Sequence, residues 1–213
     1  VAPCKAALDV PRGQLTESLR TLQKAADLLE SSRAVDPAAL RYPRTLAIAR
    51  EYIGHRLLAL NRPTEALAEY QRSLTLAATI AAEHPGNRPD LGQALSLERA
   101  LVRMAMRSGN RGLALEHARK LVARAEAGAR FPSDQPIRQS FLAEAYLTLA
   151  LVHHKFNEVD EMKKAAERAA SLARPLLTHR VYDPAAGILR EAQELALGAQ
   201  TVNELVHPVE TAR

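Results

Sequence analysis

The sequence predicts an all-α chain, an α-solenoid of stacked antiparallel helix pairs, and three observations lead there. Apolar residues recur every three or four positions through most of the chain. A single internal spacing of 48 residues aligns turns, prolines and core positions together. The packing residues are Ala and Leu, both strong helix formers, while aromatics make up only 4% and Trp is absent. Runs rich in Val, Ile and Thr between paired turn signals would mark strands, and none is found. At 213 residues and 47% hydrophobic, the chain can bury a sizeable core and falls outside the disordered class.

The repeat is visible when Thr64-Glu65-Ala66-Leu67 is taken as a reference. A shift of 48 back reaches Thr16-Glu17-Ser18-Leu19; shifts forward reach Gly112-Leu113-Ala114-Leu115 and Asp160-Glu161-Met162-Lys163. The same shift pairs Pro37 with Pro85, and Ile53 with Leu101, Leu149 and Leu197. Each reference point follows a polar or Gly-bearing turn: Gly13-Gln14, Asn61-Arg62, Gly109-Asn110 and Asn157-Glu158.

Eight helices follow, near 15–34, 38–60, 63–84, 90–108, 111–130, 135–156, 159–178 and 185–198. The first carries Leu15, Leu19, Leu22, Ala26 and Leu29 on one face, and the second Leu46, Ile53, Leu57 and Leu60. The third reads Leu67, Tyr70, Leu74, Ala77 and Ala81; the fifth, Leu115, Ala118, Val122 and Ala125; the sixth, Leu142, Ala145, Leu149, Val152 and Phe156. Asp36-Pro37, His84-Pro85 and Phe131-Pro132 end helices, because proline restricts its predecessor and cannot continue a helix. The last helix reads as a cap, with Gln193 where Ala145 and Ala49 stand, and residues 201–213 as a tail after a single helical-repeat domain over 1–200.

Gly54, Ala66 and Tyr70 stand at the spacing of the tetratricopeptide signature: a small residue, Ala twelve positions on, an aromatic sixteen on. Ile53 fills the apolar position before the small residue, and Ala114 repeats Ala66. The chain resembles that family over residues 14–198 in an extended-helix variant, its 48-residue unit exceeding the usual 34. Val102 and Ala150 replace the Gly, Ala118 and Ala166 the aromatic, and Met162 the Ala. Residues 44–85 also resemble the repeat arrays found C-terminal to bacterial serine/threonine kinase domains. The family resemblance implies a right-handed superhelix that holds a protein or peptide on its concave face. It implies that Gly54 and Ala66 let the helices of a pair approach and that Tyr70 fills the gap against the next unit. The inward positions it implies are Glu51, His55 and Ala59, then Arg99, Arg103 and Arg107, then Leu147, Leu151 and Lys155. The Lys and Asn with which some members clamp a terminal carboxylate are Glu51 and His55 here.

Arg99, Arg103 and Arg107 follow one another at i, i+4 and i+8 and form a cationic stripe. Guanidinium groups meet carboxylates bidentately, so the stripe suits an acidic segment flanked by apolar residues; the alternative is a solvated helix face paired with Glu51 or Glu144. Lys and Arg exceed Asp and Glu by 29 − 24 = 5, with no clustered aromatics, which sets nucleic acid aside as a partner.

Catalytic motifs are not found: no Gly-rich phosphate loop, no Gly-x-Ser-x-Gly elbow, no kinase catalytic loop. The reading is therefore a protein-interaction scaffold without cofactor or metal, or alternatively the regulatory or sensory region of a bacterial kinase, mediating oligomerisation or substrate docking. His153-His154 before Glu158 invites a metal, but adjacent histidines point about 100° apart on a helix, and one is expected at the core's rim with the other in solvent. Cys4 is the only cysteine, so no disulfide forms within the chain. No apolar run approaches the roughly 20 residues that span a bilayer, so no membrane contact by this segment is expected. The chain begins with neither Met nor a signal-peptide profile; it reads as a fragment or processed chain, cytoplasmic by default and extracytoplasmic should a membrane span precede it. Gly54→Leu is expected to overpack its helix crossing by about 1–3 kcal/mol, seen as a fall in melting temperature.

Overall fold

A computed structural model describes residues 12–36, 38–132, 135–178 and 184–206. Cys4, Pro37 and His207-Pro208 lie outside them. Among the described residues there are eight α-helices and no strand: α1 (Arg12–Val35), α2 (Arg41–Ala59), α3 (Pro63–Glu83), α4 (Arg88–Arg107), α5 (Arg111–Ala129), α6 (Gln135–Lys155), α7 (Val159–Ala173) and α8 (Pro184–Val206). A 3₁₀ turn, Arg174–Thr178, prolongs α7. Two of the departures from the expected boundaries change a reading. Gly13-Gln14, the supposed first turn, lies inside α1, and α8 continues past residue 201, where a tail was expected.

Contacts fall into two compact units, Val1–Leu101 and Val102–Arg213. In the first, α1 packs on α2 and α2 on α3; in the second, α5, α6, α7 and α8 pack in sequence, and α6 also reaches α8. Helices that touch mainly their sequence neighbours have the contact order of a helical repeat.

The three turns inside the pairs are built alike. Asn61, Gly109 and Asn157, spaced by 48, have φ of 60°, 71° and 59°. At each, the N–H of the next residue returns to the carbonyl five back: Arg62 to Leu57 (2.8 Å), Asn110 to Ala105 (2.9 Å), Glu158 to His153 (2.9 Å). The left-handed residue itself donates three back, to Leu58, Met106 and His154 at 3.0, 3.3 and 3.1 Å. These paired bonds are the Schellman closure, which satisfies the last carbonyls of the first helix. Only Gly, and among the others chiefly Asn, adopts that backbone at small cost. The next helix starts at once, with Ala66, Ala114 and Met162 donating to the carbonyls of Arg62, Asn110 and Glu158.

The pair crossings explain the signature residues. A Cβ built on Gly54 would stand 2.9–3.1 Å from the Tyr70 ring, so the ring lies on the glycine of its own pair, and glycine and aromatic form one contact. Tyr70 is 1% exposed. One repeat on, Val102 and Ala118 share a core cluster with Ala105, Ala114, Leu115 and Val152; a further repeat on, Ala150 and Ala166 share another. Where the glycine grows to valine, the tyrosine shrinks to alanine. Interiors packed to crystal-like density require that trade.

Polar ties join the helices of the first unit. Buried Ser73 donates to the Ala47 carbonyl across the α2–α3 pair at 2.6 Å. Arg50 on α2 forks between Glu30 on α1 (2.7 Å) and Glu69 on α3 (3.0 Å). In the second unit, fully buried Arg138 donates to the Gly128 carbonyl at 3.1 Å, with its guanidinium 5.5 Å from the Phe131 ring centre. A cation is well placed at the C-terminal end of α5, where unpaired carbonyls gather.

The size trade yields a double-mutant cycle. Tyr70→Ala alone should cost about 3–5 kcal/mol by leaving a cavity, and Gly54→Val alone about 1–3 kcal/mol by overpacking. The double variant copies the Val102–Ala118 combination and should be more stable than Tyr70→Ala alone in urea unfolding; strict additivity would show that the two positions do not share a crossing.

Candidate interaction face

The face of α2 that does not enter the pair core carries Arg41, Thr45, Ile48, Tyr52, His55 and Ala59, successive positions on one side of a helix. Ile48 and Tyr52 are 42% and 49% exposed, large apolar side chains one turn apart. Beside Ile48 lies a hollow of ≈ 180 Å³ walled by Ala47, Ile48, Ala77, Ile80 and Pro89, with Arg44, Asp90 and Gln93 on its polar side. Arg44 grips Asp90 by Nε (2.9 Å) and Nη2 (2.7 Å), a bidentate pair between α2 and α4. The Asn87 side chain accepts from the Asp90 N–H at 3.2 Å, which sets the start of α4.

Further along the face runs a polar chain. The Tyr70 hydroxyl meets His55 Nδ1 at 2.6 Å, and His55 Nε2 stands 3.6 Å from Glu51 Oε1. Glu51 also accepts from Gln93 Nε2 and, at 3.3 Å, from Ser96 Oγ. The Tyr52 ring stands edge-on to the imidazole, centroids 6.1 Å apart. Burial pushes the Glu51 carboxyl up, but the hydrogen bonds from His55, Gln93 and Ser96 outweigh it and hold the group below the ordinary value of 4.5.

The residues expected to face inward divide by environment. Glu51 and His55 lie on the α2 face, half-buried and bonded as above; Ala59 is exposed. On α4, Arg99 is half-buried while Arg103 and Arg107 are exposed, and both Arg99 and Arg103 are engaged by contacts of their own. Leu147 is 7% exposed and belongs to a core cluster with Ala143, Ala169, Ala173, Ile188 and Ala192, against which Leu151 also packs. The open position expected for Leu147 is thus corrected: α7 and α8 cover it, and it has no surface to offer a partner. Lys155 is exposed. Of the two adjacent histidines, His153 is buried and His154 exposed. His153 Nδ1 meets Glu158 Oε2 at 2.5 Å, and Arg111 Nε reaches Glu158 Oε1 at 2.6 Å. Bonds from His153 and then Arg111 lower the Glu158 carboxyl. The pair that forms is thus His153–Glu158, five apart, and it ties the turn into α7 to the start of α5. Among the described residues no three His, Cys, Asp or Glu side chains gather as metal ligands.

Sequence reasoning missed Ile48, Tyr52 and the Arg44–Asp90 pair. The first two had a signal: they are large apolar residues at i and i+4 lying off the Leu46–Ile53–Leu57 stripe. Arg44 and Asp90 are 46 residues apart in an arginine-rich chain, and nothing in the sequence singles that pair out.

These features define a helical-repeat protein with an open first-helix face. No family model and no curated protein matches the sequence. Among solved structures it is similar to BtubC (BKLC) from P. vanneervenii, at 14% identity, 93% of this chain and 96% of that one covered, and a TM-score of 0.47. It is similar to the de novo designed helical repeat protein DHR64, at 18% identity, 90% and 97% covered, and 0.39. It is also similar to a Podosopora anserina kinesin light chain with nearly identical TPR-like repeats, at 19% identity, 92% and 93% covered, and 0.36.

The polar chain predicts a pH dependence. A carboxyl whose folded pKa lies below its unfolded one adds stability above the unfolded value, and that stability is lost as pH falls through the folded one. Acidification below the ordinary value of 4.5 should therefore weaken the first unit through Glu51. Glu51→Gln should cost about 1–2 kcal/mol at pH 7 and flatten the acid limb of the stability–pH curve in chemical unfolding; an unchanged limb would remove Glu51 from the account.

Proposed function

We propose that this chain is a protein-interaction scaffold that holds an acidic peptide or protein segment on the exposed faces of its first helices, without catalysis. The carrying observation is the α2 face: Ile48 and Tyr52, large and apolar, stand out beside a hollow with apolar walls on a helix pinned at both flanks by ion pairs. Exposed aromatic and aliphatic anchors on a rigid frame are what binding hot spots are made of. A separate argument for an acidic partner is the arginine stripe of α4, on which Arg103 and Arg107 are exposed and Arg103 already has contacts of its own. No described helix is long and apolar enough to cross a membrane. A regulatory place beside a kinase domain is supported by the wording of residues 44–85 alone, and the parent reading frame decides it.

The test is capture from the native organism with the wild-type chain, and with Tyr52→Ala and the Arg103→Glu, Arg107→Glu double variant as controls. A captured protein, identified and remade, should bind in calorimetry, with Tyr52→Ala weakening it about 30-fold or more. Reversal of the arginines should weaken it further and lower its salt dependence. Equal affinity for all three chains would overturn the proposal.

A further inference from the structure

Charge is unevenly placed along this chain. Residues 103–130 hold seven Lys and Arg and only two carboxylates, Glu116 and Glu126. Outside that stretch the counts balance, 29 − 7 = 22 basic against 24 − 2 = 22 acidic residues. The whole excess of five therefore falls on the end of α4, on α5 and on the turn between them. A field of one sign gathered on one stretch of surface draws a partner of the other sign.

The two carboxylates are already engaged. Glu116 takes Lys120 at 2.5 Å, and Glu126 accepts from the Tyr146 hydroxyl at 2.7 Å. Among the cations, Arg111 is held by Glu158, and Arg103 and Arg124 have contacts of their own. Arg119 and Arg130 are exposed, and among the described residues neither has a carboxylate partner; Asp134 lies outside those residues. Arg119, Glu126 and Arg130 stand seven and four positions apart and share one stripe of α5. The Cα atoms of the two arginines are about 16 Å apart along the axis.

That order of cation, anion and cation selects among anionic partners. A nucleic acid carries a phosphate at every nucleotide, about 3.4 Å apart along a duplex strand, and must set one against Glu126. An anionic bilayer is equally continuous, and residues 103–130 offer it no exposed large apolar side chain to insert. They also hold no Phe, Tyr or Trp on which bases stack. A protein can place carboxylates opposite both arginines, where guanidinium forks meet them bidentately, and a neutral or basic residue opposite Glu126. Resting on the scaffold reading and extending it beyond the first helices, we infer that the outer face of α5 takes an acidic protein segment, its carboxylates on Arg119 and Arg130.

Fluorescence anisotropy on the full chain tests this with three probes of equal length. They are a capped peptide with Glu-rich ends and a Ser-Gly middle, the same peptide with Gln for Glu, and oligothymidylate; co-sedimentation with phosphatidylserine-containing vesicles adds a fourth. The Glu peptide should bind, less tightly as salt rises, and the Gln peptide should not. Arg119→Glu with Arg130→Glu should weaken the Glu peptide about tenfold or more. Arg12→Glu with Lys24→Glu, an equal charge change at exposed residues of α1, should leave it within about twofold. If helical circular dichroism shows that the α5 reversal does not fold, Arg119→Gln with Arg130→Gln replaces it and should weaken the peptide about threefold or more. Equal losses in the α1 and α5 variants would reduce the effect to net charge and overturn the inference. So would a Glu peptide that does not bind, or oligothymidylate or vesicles binding more tightly than it and losing that binding in the α5 variant. Each of these results, with partner capture and its dependence on Tyr52 retained, leaves the scaffold reading standing; loss of capture as well removes both.

Discussion

The close crossing inside each helix pair is the constraint on which the remaining structure depends. At Gly54 the approach leaves no room for a Cβ against the Tyr70 ring. At the two later crossings Val102 with Ala118 and Ala150 with Ala166 divide the space differently, and all four are fully buried. A helix has little freedom once that seam is filled, because core density tolerates neither a void nor an added methylene at low cost. The seam sets which side of each first helix turns inward. On α2, burial of Leu46, Ile53 and Leu57 leaves Ile48 and Tyr52 to solvent.

The turns hold the register that the seam needs. A Schellman closure fixes where one helix stops, and the next begins within a residue, so a slip of one position would move the signature residues off their crossing. Asn61, Gly109 and Asn157 are the residues whose chemistry permits this, and their shared positive φ recurs with the 48-residue period. They were readable because left-handed backbone restricts residue choice sharply. Gly13-Gln14 was misread for the complementary reason: glycine permits a turn without requiring one, and α1 runs through it.

Helix number, boundaries and pairing were legible because each rests on local chemistry repeated many times. The apolar stripes of α2, α5 and α6 turned out buried or half-buried at every position named. Legibility failed where a side chain's fate depends on what covers it. Leu147 stands where the family resemblance implies an inward-facing residue, yet α7 and α8 close over it. Leu197 occupies the core position of Ile53 by the same shift and is 61% exposed. Long-range polar pairs failed for another reason. In a chain with 29 basic and 24 acidic residues, many pairings are possible on paper, and only packed helices bring Arg44 to Asp90 or Arg111 to Glu158.

On α2 the residues that hold the pair together and the large apolar residues left to solvent are therefore different ones. On α2, Leu46, Ile53, Gly54 and Leu57 serve the pair core, while Arg50, which bridges Glu30 and Glu69, fixes the neighbours. Ile48 and Tyr52 share neither duty. Their exposure costs the fold little, because single apolar side chains at a surface are ordinary. Two in line along one helix face, beside a hollow with apolar walls, are less ordinary than either alone. His55 is where the two sets meet: its imidazole takes the hydroxyl of the core tyrosine on one side and stands edge-on to the exposed Tyr52 on the other. The exposed Tyr52 thus stands one ring away from the tyrosine seated on Gly54.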